Sequence, residues 1–427
     1  MKFAFRDFAW LICGIIFIPV ILLCAFVYGI IRVKRKKCKM SPRLMFGPNP
    51  IISNKYWSEA LSEIGLESKT LMKYYFPIQN NGDFNHYYEN ISYFKHGSIL
   101  GNLLNPFVII AHIIVNYDII HIPITGSCEF GRTPFWFLEK FIFQIAQVKT
   151  VSLPYGGDFY NYSKILDKSW AFAMNINYPK AAREEMFYKK RLNYWTSYSD
   201  FFIPTFMLDG VGRMDALIFS HSMIDVQLWN SKKIYSKEDG VKGTVNIIHT
   251  PNHRGAKGTE FLIAAVDRLK MEGFKVKLIL LEKISNLEVQ RIMIEEADIL
   301  AEQFIATAYA MSGVEGLATG LPVLSNLENN DYTEVYKRYS YLNECPIVST
   351  KPETIYLNLK ELVTNPQLRE ELGKKGRIYA EKYHSYKTTQ FLFPKIYDRI
   401  WYKKEVDFTG MFHPLNPNSY NNLYPNV

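Results

Sequence analysis

The sequence predicts two doubly wound α/β domains that follow an N-terminal membrane helix. Apolar runs rich in β-branched residues alternate with helical patterns along most of the chain, as in a parallel sheet with crossover helices. The 427 residues suffice for two domains of ordinary size. We place the boundary between the two domains in the polar stretch 231–243. The membrane helix with its cations and the final helix with the tail are set apart, so the four units are 1–40, 41–235, 236–385 and 386–427.

The first unit contains an uncharged apolar run from Phe8 to Ile31. At a rise of about 1.5 Å per residue, a helix of this length crosses a hydrocarbon core of about 30 Å. A cleaved secretory signal is disfavoured, because the run lacks a small-residue cleavage site. The run leads directly into six cations, which predict a single-pass protein with a cytoplasmic globular part: Arg32, Lys34, Arg35, Lys36, Lys37 and Lys39.

The same segment accounts for most of the charge. Residues 1–39 hold eight basic side chains and one acidic side chain, out of a formal net charge of +9. The remaining body is nearly neutral, so the high pI gives no support for nucleic-acid binding, which needs a basic face on the folded domain, and we expect no nucleic-acid partner. The five cysteines are odd in number and widely spaced, so no disulfide framework is indicated. No Cys-x-x-Cys or Asp-x-Asp occurs, and we expect neither a metal nor another cofactor.

In unit 41–235, strands are predicted over Asp118–Ile124 and Lys149–Tyr155, with the helical pattern TPFWFLEKFIFQIAQ between them. The second strand leads into a turn formed by Gly156, Gly157 and Asp158. Asp158 is equally compatible with a hydrogen bond to a ligand hydroxyl and with a turn that bonds its own backbone. His121 lies in an apolar strand, where a structural role is favoured over a catalytic one.

Unit 236–385 opens with a strand, VNIIHT, a polar loop, PNHRGAKGT, and a helical pattern, EFLIAAVDRLK. In a parallel sheet, ligands bind where strands end and helix N-termini begin. Arg254 offers a fork of donors, Lys257 a point charge, and Gly258 a backbone without Cβ, a combination that suits a diphosphate. Thr259 is predicted to cap the helix. The alternative is a solvated basic loop.

A second turn of the same kind follows a strand predicted near Asp298–Phe304. Small residues and glycines then lead to Glu315. An ionised carboxylate accepts hydrogen bonds only, so Glu315 could hold the two neighbouring hydroxyls of a ribose. The alternative is a Glu that interacts only with the helix dipole.

The motifs His249-x-Pro-Asn-His-Arg-x-x-Lys-Gly-Thr259 and Val314-Glu-Gly-Leu-Ala-Thr-Gly-Leu-Pro-Val323 resemble the donor site of retaining family 4 glycosyltransferases, which have the GT-B fold. The resemblance implies that unit 41–235 faces the acceptor and unit 236–385 binds a nucleotide sugar. The first Glu of the family's Glu-seven-residues-Glu motif is replaced by Thr307, and Glu302 and Gln303 lie nearby. The implied roles are catalytic for Arg254, Lys257 and Asp158, and donor-binding for His253, Gly258, Thr259, Glu315, Gly156 and Gly157.

The resulting hypothesis is a membrane-anchored, retaining and metal-independent glycosyltransferase. It would transfer a sugar from a nucleotide diphosphate to a lipid-linked or cell-surface polysaccharide acceptor, with membrane, nucleotide sugar and glycan as its partners. The alternative is a catalytically degenerate GT-B subunit that scaffolds a polysaccharide-assembly complex. An epimerase with this fold is a third alternative. The Asn- and Pro-rich end of the chain is compatible with a loose tail or with a packed cover.

Overall fold

The computed structural model describes residues 2–74, 82–155, 160–204, 209–220, 222–413 and 416–423. Its N-terminal half forms a six-stranded parallel sheet in the order β3-β2-β1-β4-β5-β6, the order of a dinucleotide-binding fold. The strands are β1 (Leu44–Phe46), β2 (Ser68–Met72), β3 (His86–Tyr87), β4 (Ile119–Ile122), β5 (Lys149–Ser152) and β6 (Phe201–Phe202).

Eight helices of this half occur in the described residues. They are α1 (Lys2–Lys37), α2 (Ile52–Glu63), α3 (Tyr88–Ser92), α4 (Ile99–Asn116), α5 (Glu139–Ile145), α6 (Lys168–Asn177), α7 (Pro179–Arg183) and α8 (Glu185–Tyr198). α5 is shorter than its helical pattern because Trp136–Leu138 form a separate 3-10 turn.

The C-terminal half forms a five-stranded parallel sheet in the order β11-β10-β9-β7-β8. Its strands are β7 (Val245–His249), β8 (Val276–Leu280), β9 (Ile299–Thr307), β10 (Val323–Asn326) and β11 (Val348–Ser349). Its helices are α9 (Arg254–Lys257), α10 (Thr259–Met271), α11 (Asn286–Glu295), α12 (Met311–Ala318), α13 (Asn330–Tyr339), α14 (Ile355–Thr364), α15 (Pro366–Tyr383), α16 (Tyr386–Ile400) and α17 (Tyr420–Leu423).

Two parallel-sheet α/β domains confirm the predicted fold class. Each is doubly wound, and one hydrophobic core includes side chains from both, such as Trp57 of the first half and Val314 of the second. Two described helical segments, Arg6–Lys37 and Ile99–Asn116, are long and apolar enough to cross a membrane.

α16 packs against the N-terminal half. The amide of Gln390 donates to the carbonyl of Ala60 on α2 at 3.0 Å. The Tyr397 hydroxyl lies 3.0 Å from Nε2 of His121, whose Nδ1 lies 3.0 Å from the carbonyl of Met45. Burial lowers the pKa of His121 to about 3. Both ring nitrogens are therefore engaged in a neutral, buried imidazole, which is the structural role favoured by the sequence.

The end of the chain is a packed cover where it is described. Phe408 contacts Phe201 of β6, with ring centroids 4.8 Å apart. Phe412 packs on Tyr341 at 5.2 Å, on the C-terminal half. Tyr420 is fully buried. The tail thus contacts both halves.

Candidate functional site

The candidate site lies where the order of the C-terminal sheet reverses. β7 pairs with both β8 and β9, so the chain leaves β7 in one direction along the sheet and later returns to its other side. At such a switch point, the loops that follow the two central strands separate and leave a crevice. The loop after β7 begins at Thr250, and the loop after β9 begins at Ala308.

The loop after β7 turns sharply at Gly258, which has a φ of 71°. An added Cβ there would lie 3.2 Å from Cβ of Phe304, and this φ favours glycine. The prediction that Thr259 caps the following helix is wrong. Gly258 takes the N-cap position because the Thr259 hydroxyl is engaged elsewhere, 2.8 Å from Nε2 of His249.

His249 links the loop to the sheet. Its Nδ1 lies 2.6 Å from the carbonyl of Ala301 in β9, and its Nε2 contacts Thr259. Burial lowers the pKa of this imidazole to about 4, so it is neutral at physiological pH. His249 therefore fixes the start of α10 against the two central strands.

Lys257, which the sequence assigns to a diphosphate, is buried and forms an ion pair with the buried carboxylate of Glu302. Its ammonium also donates to Oε1 of Gln303 at 3.0 Å and to Oγ of Ser312 at 3.4 Å. Glu302 accepts further hydrogen bonds of 2.9 Å from Ser312 and Ser325. The lysine therefore enters a preformed polar cluster between β9, β10 and α12.

Glu315 lies beside this cluster on α12 and is half-buried. Burial raises its pKa to about 8, against the opposing effect of Lys257 and with a smaller contribution from Glu302. No hydrogen bond reaches its carboxylate from the described residues. Glu315 is thus a carboxyl group with unused hydrogen-bonding capacity in the crevice of the sheet.

Arg254 does not join Lys257 in this arrangement. Its guanidinium is more than one-third exposed and pairs with Glu260 at 2.8 Å and with Glu282 at 3.3 Å. An exposed pair of this kind contributes little free energy, so the guanidinium is free to exchange partners. Its role at a diphosphate stays a prediction.

His253 stands between the two halves. Its ring lies 4.6 Å from the ring of Tyr178, which follows α6 in the N-terminal half. Burial, with a smaller effect of Lys257, lowers the pKa of His253. A Cβ on Gly255 would lie 3.0 Å from the side-chain nitrogen Nδ2 of Asn177. The C-terminal end of α6 therefore covers the short helix α9. This helix carries Arg254 and Lys257, the two cations predicted to bind a diphosphate.

Gly156, Gly157 and Asp158 lie outside the described residues, so their roles stay predictions. Thr307, which stands where the family has its first Glu, is buried, and its hydroxyl has no hydrogen-bond partner among the described residues. The carboxylate that pairs with Lys257 belongs to Glu302, earlier in β9.

The sequence indicates Glu302 only as a neighbour of the missing Glu, and its pairing with Lys257 was not predicted. A usable signal was present. Glu302 and Gln303 are consecutive polar residues inside a strand that is buried along nearly its whole length. A central strand of a parallel sheet is normally apolar on both faces, so such a pair indicates a buried partner of opposite charge.

Comparison with known proteins gives likenesses of structure alone. No protein-family model matches the chain, and no curated protein matches it. Among solved structures, Anabaena HepE in complex with UDP and glucose is 11% identical, covers 83% of this chain and 98% of its own, and has a TM-score of 0.49. The S. aureus protein TarM, in a complex that includes UDP, is 10% identical over 84% of this chain and 100% of its own, at a TM-score of 0.46.

A UDP-N-acetylglucosamine 2-epimerase is 14% identical over 86% of this chain and 99% of its own, at a TM-score of 0.44. At such identities and TM-scores, these likenesses carry no argument about the reaction of this chain. The assignment to family 4 accordingly stays a prediction.

Proposed function

We propose that the chain is a glycosyltransferase that takes a sugar from a nucleotide diphosphate donor, with the donor bound at the ends of β7 and β9. One observation carries the proposal. The motif residues Lys257 and Glu315, which follow different strands, converge at the switch point of a parallel sheet. A cation beside a carboxyl group with spare capacity matches the two polar parts of a nucleoside diphosphate, its phosphates and its ribose.

In the transfer, the bond between the anomeric carbon and the β-phosphate oxygen breaks and a bond to an acceptor oxygen forms. The acceptor hydroxyl releases its proton to solvent, and the nucleoside diphosphate leaves with an added negative charge. Lys257 lies where it could stabilise that charge more strongly in the transition state than in the bound donor. For this, its ammonium must exchange part of its contact with Glu302 for a phosphate oxygen.

Glu315 would hold the ribose. Because its pKa is about 8 in the ligand-free protein, the group is mostly protonated at pH 7. A ribose that donates two hydrogen bonds favours the ionised form, so binding would release a proton. Nucleotide affinity is therefore expected to increase as the pH rises from 6 towards 8.

The acceptor is proposed to be a lipid-linked or cell-surface glycan precursor, reached from a membrane to which α1 attaches the protein. The proposal includes a retaining outcome without a metal ion, as the resemblance to family 4 implies. It also includes a cytoplasmic location, favoured by the cations at the end of α1. The scaffold alternative has one supporting observation, since Lys257 is already neutralised by Glu302.

The test is a thermal-shift series with UDP, GDP, ADP, dTDP and CMP. The variants are Glu315→Gln and the double substitution Lys257→Met/Glu302→Gln, which removes the cation without leaving a buried charge. Lys270→Ala, on the exposed face of α10, is the matched control. At 100 times its Kd a ligand stabilises by about 2.7 kcal/mol. A shift with one nucleotide, retained in the control and lost in both site variants, is expected.

Absence of a shift with every nucleotide would favour the scaffold. If a nucleotide does bind, incubation of its sugar conjugate without an acceptor separates transfer from epimerisation, because only an epimerase changes the sugar under those conditions.

A further inference from the structure

α1 is docked along the N-terminal half over most of its length. Its buried positions repeat at helical spacing: Trp10, Ile18, Ile21, Ala25 and Arg32. This spacing places one stripe of the helix against the domain. α4 and α5 form the surface on which this stripe rests, and its side chains belong to the same hydrophobic core as the sheet residue Ile120.

The contact is close at several points along the stripe. A Cβ on Gly14 would collide with the ring of Phe135, and a Cβ on Gly29 would collide with the carbonyl of Ile145. The rings of Phe17 and Phe107 stack with centroids 5.5 Å apart. Glycines at the first two points let the helix backbone approach the domain.

Arg32 fixes the C-terminal end of α1. Its side chain is fully buried, with Nε 2.9 Å from Oδ1 of Asp118 and Nη1 2.9 Å from the carbonyl of Ala146. The other end is held by the indole of Trp10, which donates to the carbonyl of Asn102 at 3.1 Å. A buried arginine is costly unless it is paired and hydrogen-bonded, and the folded domain supplies both kinds of partner to Arg32. These contacts indicate that α1 is docked on the domain and does not act only as a tether.

The opposite side of α1 is exposed and apolar. Six of its large side chains are more than half exposed: Phe8, Ile15, Ile16, Val20, Leu23 and Phe26. The elements that hold α1 add further exposed apolar groups, with Ile99 and Leu100 at the start of α4, Phe137 in the 3-10 turn before α5, and Phe141 on α5. We call these ten side chains the apolar face.

Cations adjoin the apolar face at the end of α1. Lys34, Lys37 and Lys39 are exposed, whereas the neighbouring Arg35 is partly buried beside Asp118. Exposed lysines next to a band of apolar side chains match a surface with a hydrocarbon layer under anionic headgroups.

We propose that α1 remains docked and lies in the plane of a membrane, so that the apolar face of helix and domain enters one leaflet together. A perpendicular crossing by the docked helix would draw α4, and the sheet beneath it, into the hydrocarbon core. The in-plane arrangement keeps the domain in water and buries the exposed side of α1. This position differs from the single-pass crossing expected from the apolar run, because one side of α1 is buried against the domain. It specifies the membrane attachment proposed above and does not depend on donor chemistry.

Phe141 gives the sharpest test, because it belongs to the domain and not to α1. In the full-length protein, Phe141→Asp and Leu23→Asp are each expected to raise at least tenfold the lipid concentration needed for half-maximal binding to phosphatidylglycerol-containing vesicles. Met271→Asp and Leu357→Asp, at apolar positions of the C-terminal half that are also more than half exposed, are the matched controls and should bind as wild type does. Vesicles of phosphatidylcholine alone should bind more weakly.

Protease accessibility of tags at the two ends of the chain, in sealed membrane vesicles, gives the second readout. In the in-plane arrangement both tags are cleaved from the same side. Tags on opposite sides would overturn the proposal in favour of a crossing, as would unchanged binding of the Phe141→Asp variant. If Phe141→Asp instead converted a dimer into a monomer and wild type ignored vesicles, the face would belong to a second copy of the chain. Loss of nucleotide binding with vesicle binding intact would affect only the proposed reaction.

Discussion

In the described parts of the chain, two ion pairs have both side chains buried, Arg32 with Asp118 and Lys257 with Glu302, and they differ in what surrounds them. Asp118 accepts from Arg32 and from the backbone and side chain of Arg43. The other donors of Arg32, Nη1 and Nη2, donate to backbone carbonyls. Beside Lys257, in contrast, lies Glu315, whose carboxyl group forms no hydrogen bond with any described residue. The first pair is closed and holds elements together, whereas the second adjoins unused capacity, as expected of a ligand site.

The largest effect should come from opening the closed pair. Asp118→Asn leaves the guanidinium of Arg32 buried without an anion, which is expected to lower the free energy of unfolding by about 3–5 kcal/mol. Denaturant unfolding measures it. The double variant Arg32→Met/Asp118→Asn should recover part of the loss. Equal instability of single and double variants would mean that the pair has no special energetic role.

At the second pair, Lys257 with Glu302, substitutions should separate the effect on the free energy of unfolding from the effect on nucleotide binding. Lys257→Met alone leaves Glu302 buried and unpaired, at an expected cost of about 3–4 kcal/mol. Addition of Glu302→Gln should restore most of that stability without restoring nucleotide binding. Calorimetric titration with the nucleotide found by thermal shift measures the binding. Recovery of both properties in the double variant would contradict a direct role for the lysine.

Glu315 predicts a pH dependence. Its pKa in the folded protein, about 8, lies above the ordinary value of 4.5, so the folded state binds the proton more tightly than the unfolded chain does. The stability contributed by the protonated form is complete below about pH 4.5 and is lost as the pH rises towards 8. Relative to Glu315→Gln, wild type should lose about 1.4 kcal/mol for each pH unit in the middle of this window. Parallel pH profiles of unfolding would show that Glu315 is ionised throughout.

The smallest expected effect concerns the contact between His121 and Tyr397. Tyr397→Phe removes one hydroxyl and leaves Nε2 of His121 without its partner, at a cost of about 1 kcal/mol. The free energy of unfolding measures it, with Tyr402→Phe on the same segment as the comparison. A loss as large as that for Asp118→Asn would mean that α16 depends on this one hydrogen bond.

The sequence was sufficient for the two parallel sheets because β-branched runs and helical spacing are local signals. It also placed Lys257 and Glu315 after the correct strands. It could not supply the pairing of Lys257 with Glu302, because that contact joins a loop to a distant strand and depends on sheet order. The error at Thr259 has the same origin, since the hydroxyl bonds His249 across the turn instead of the helix end. Nor could an apolar run alone show that Arg32, at its end, turns into the folded domain.

The contacts made by Tyr397 and Phe408 determine when the N-terminal half can complete its folding during synthesis. Phe408 covers the edge strand β6, and Tyr397 completes the hydrogen bonds of His121, yet both residues are made after the whole second sheet. Domains generally begin to fold as they leave the ribosome, N-terminal part first. Here the first half emerges with α1 already available to dock and with its opposite surface uncovered. The contacts of Phe408 with β6 and of Tyr397 with His121 can form only after the second sheet has been synthesised, so a part of the protein that is made early is completed late.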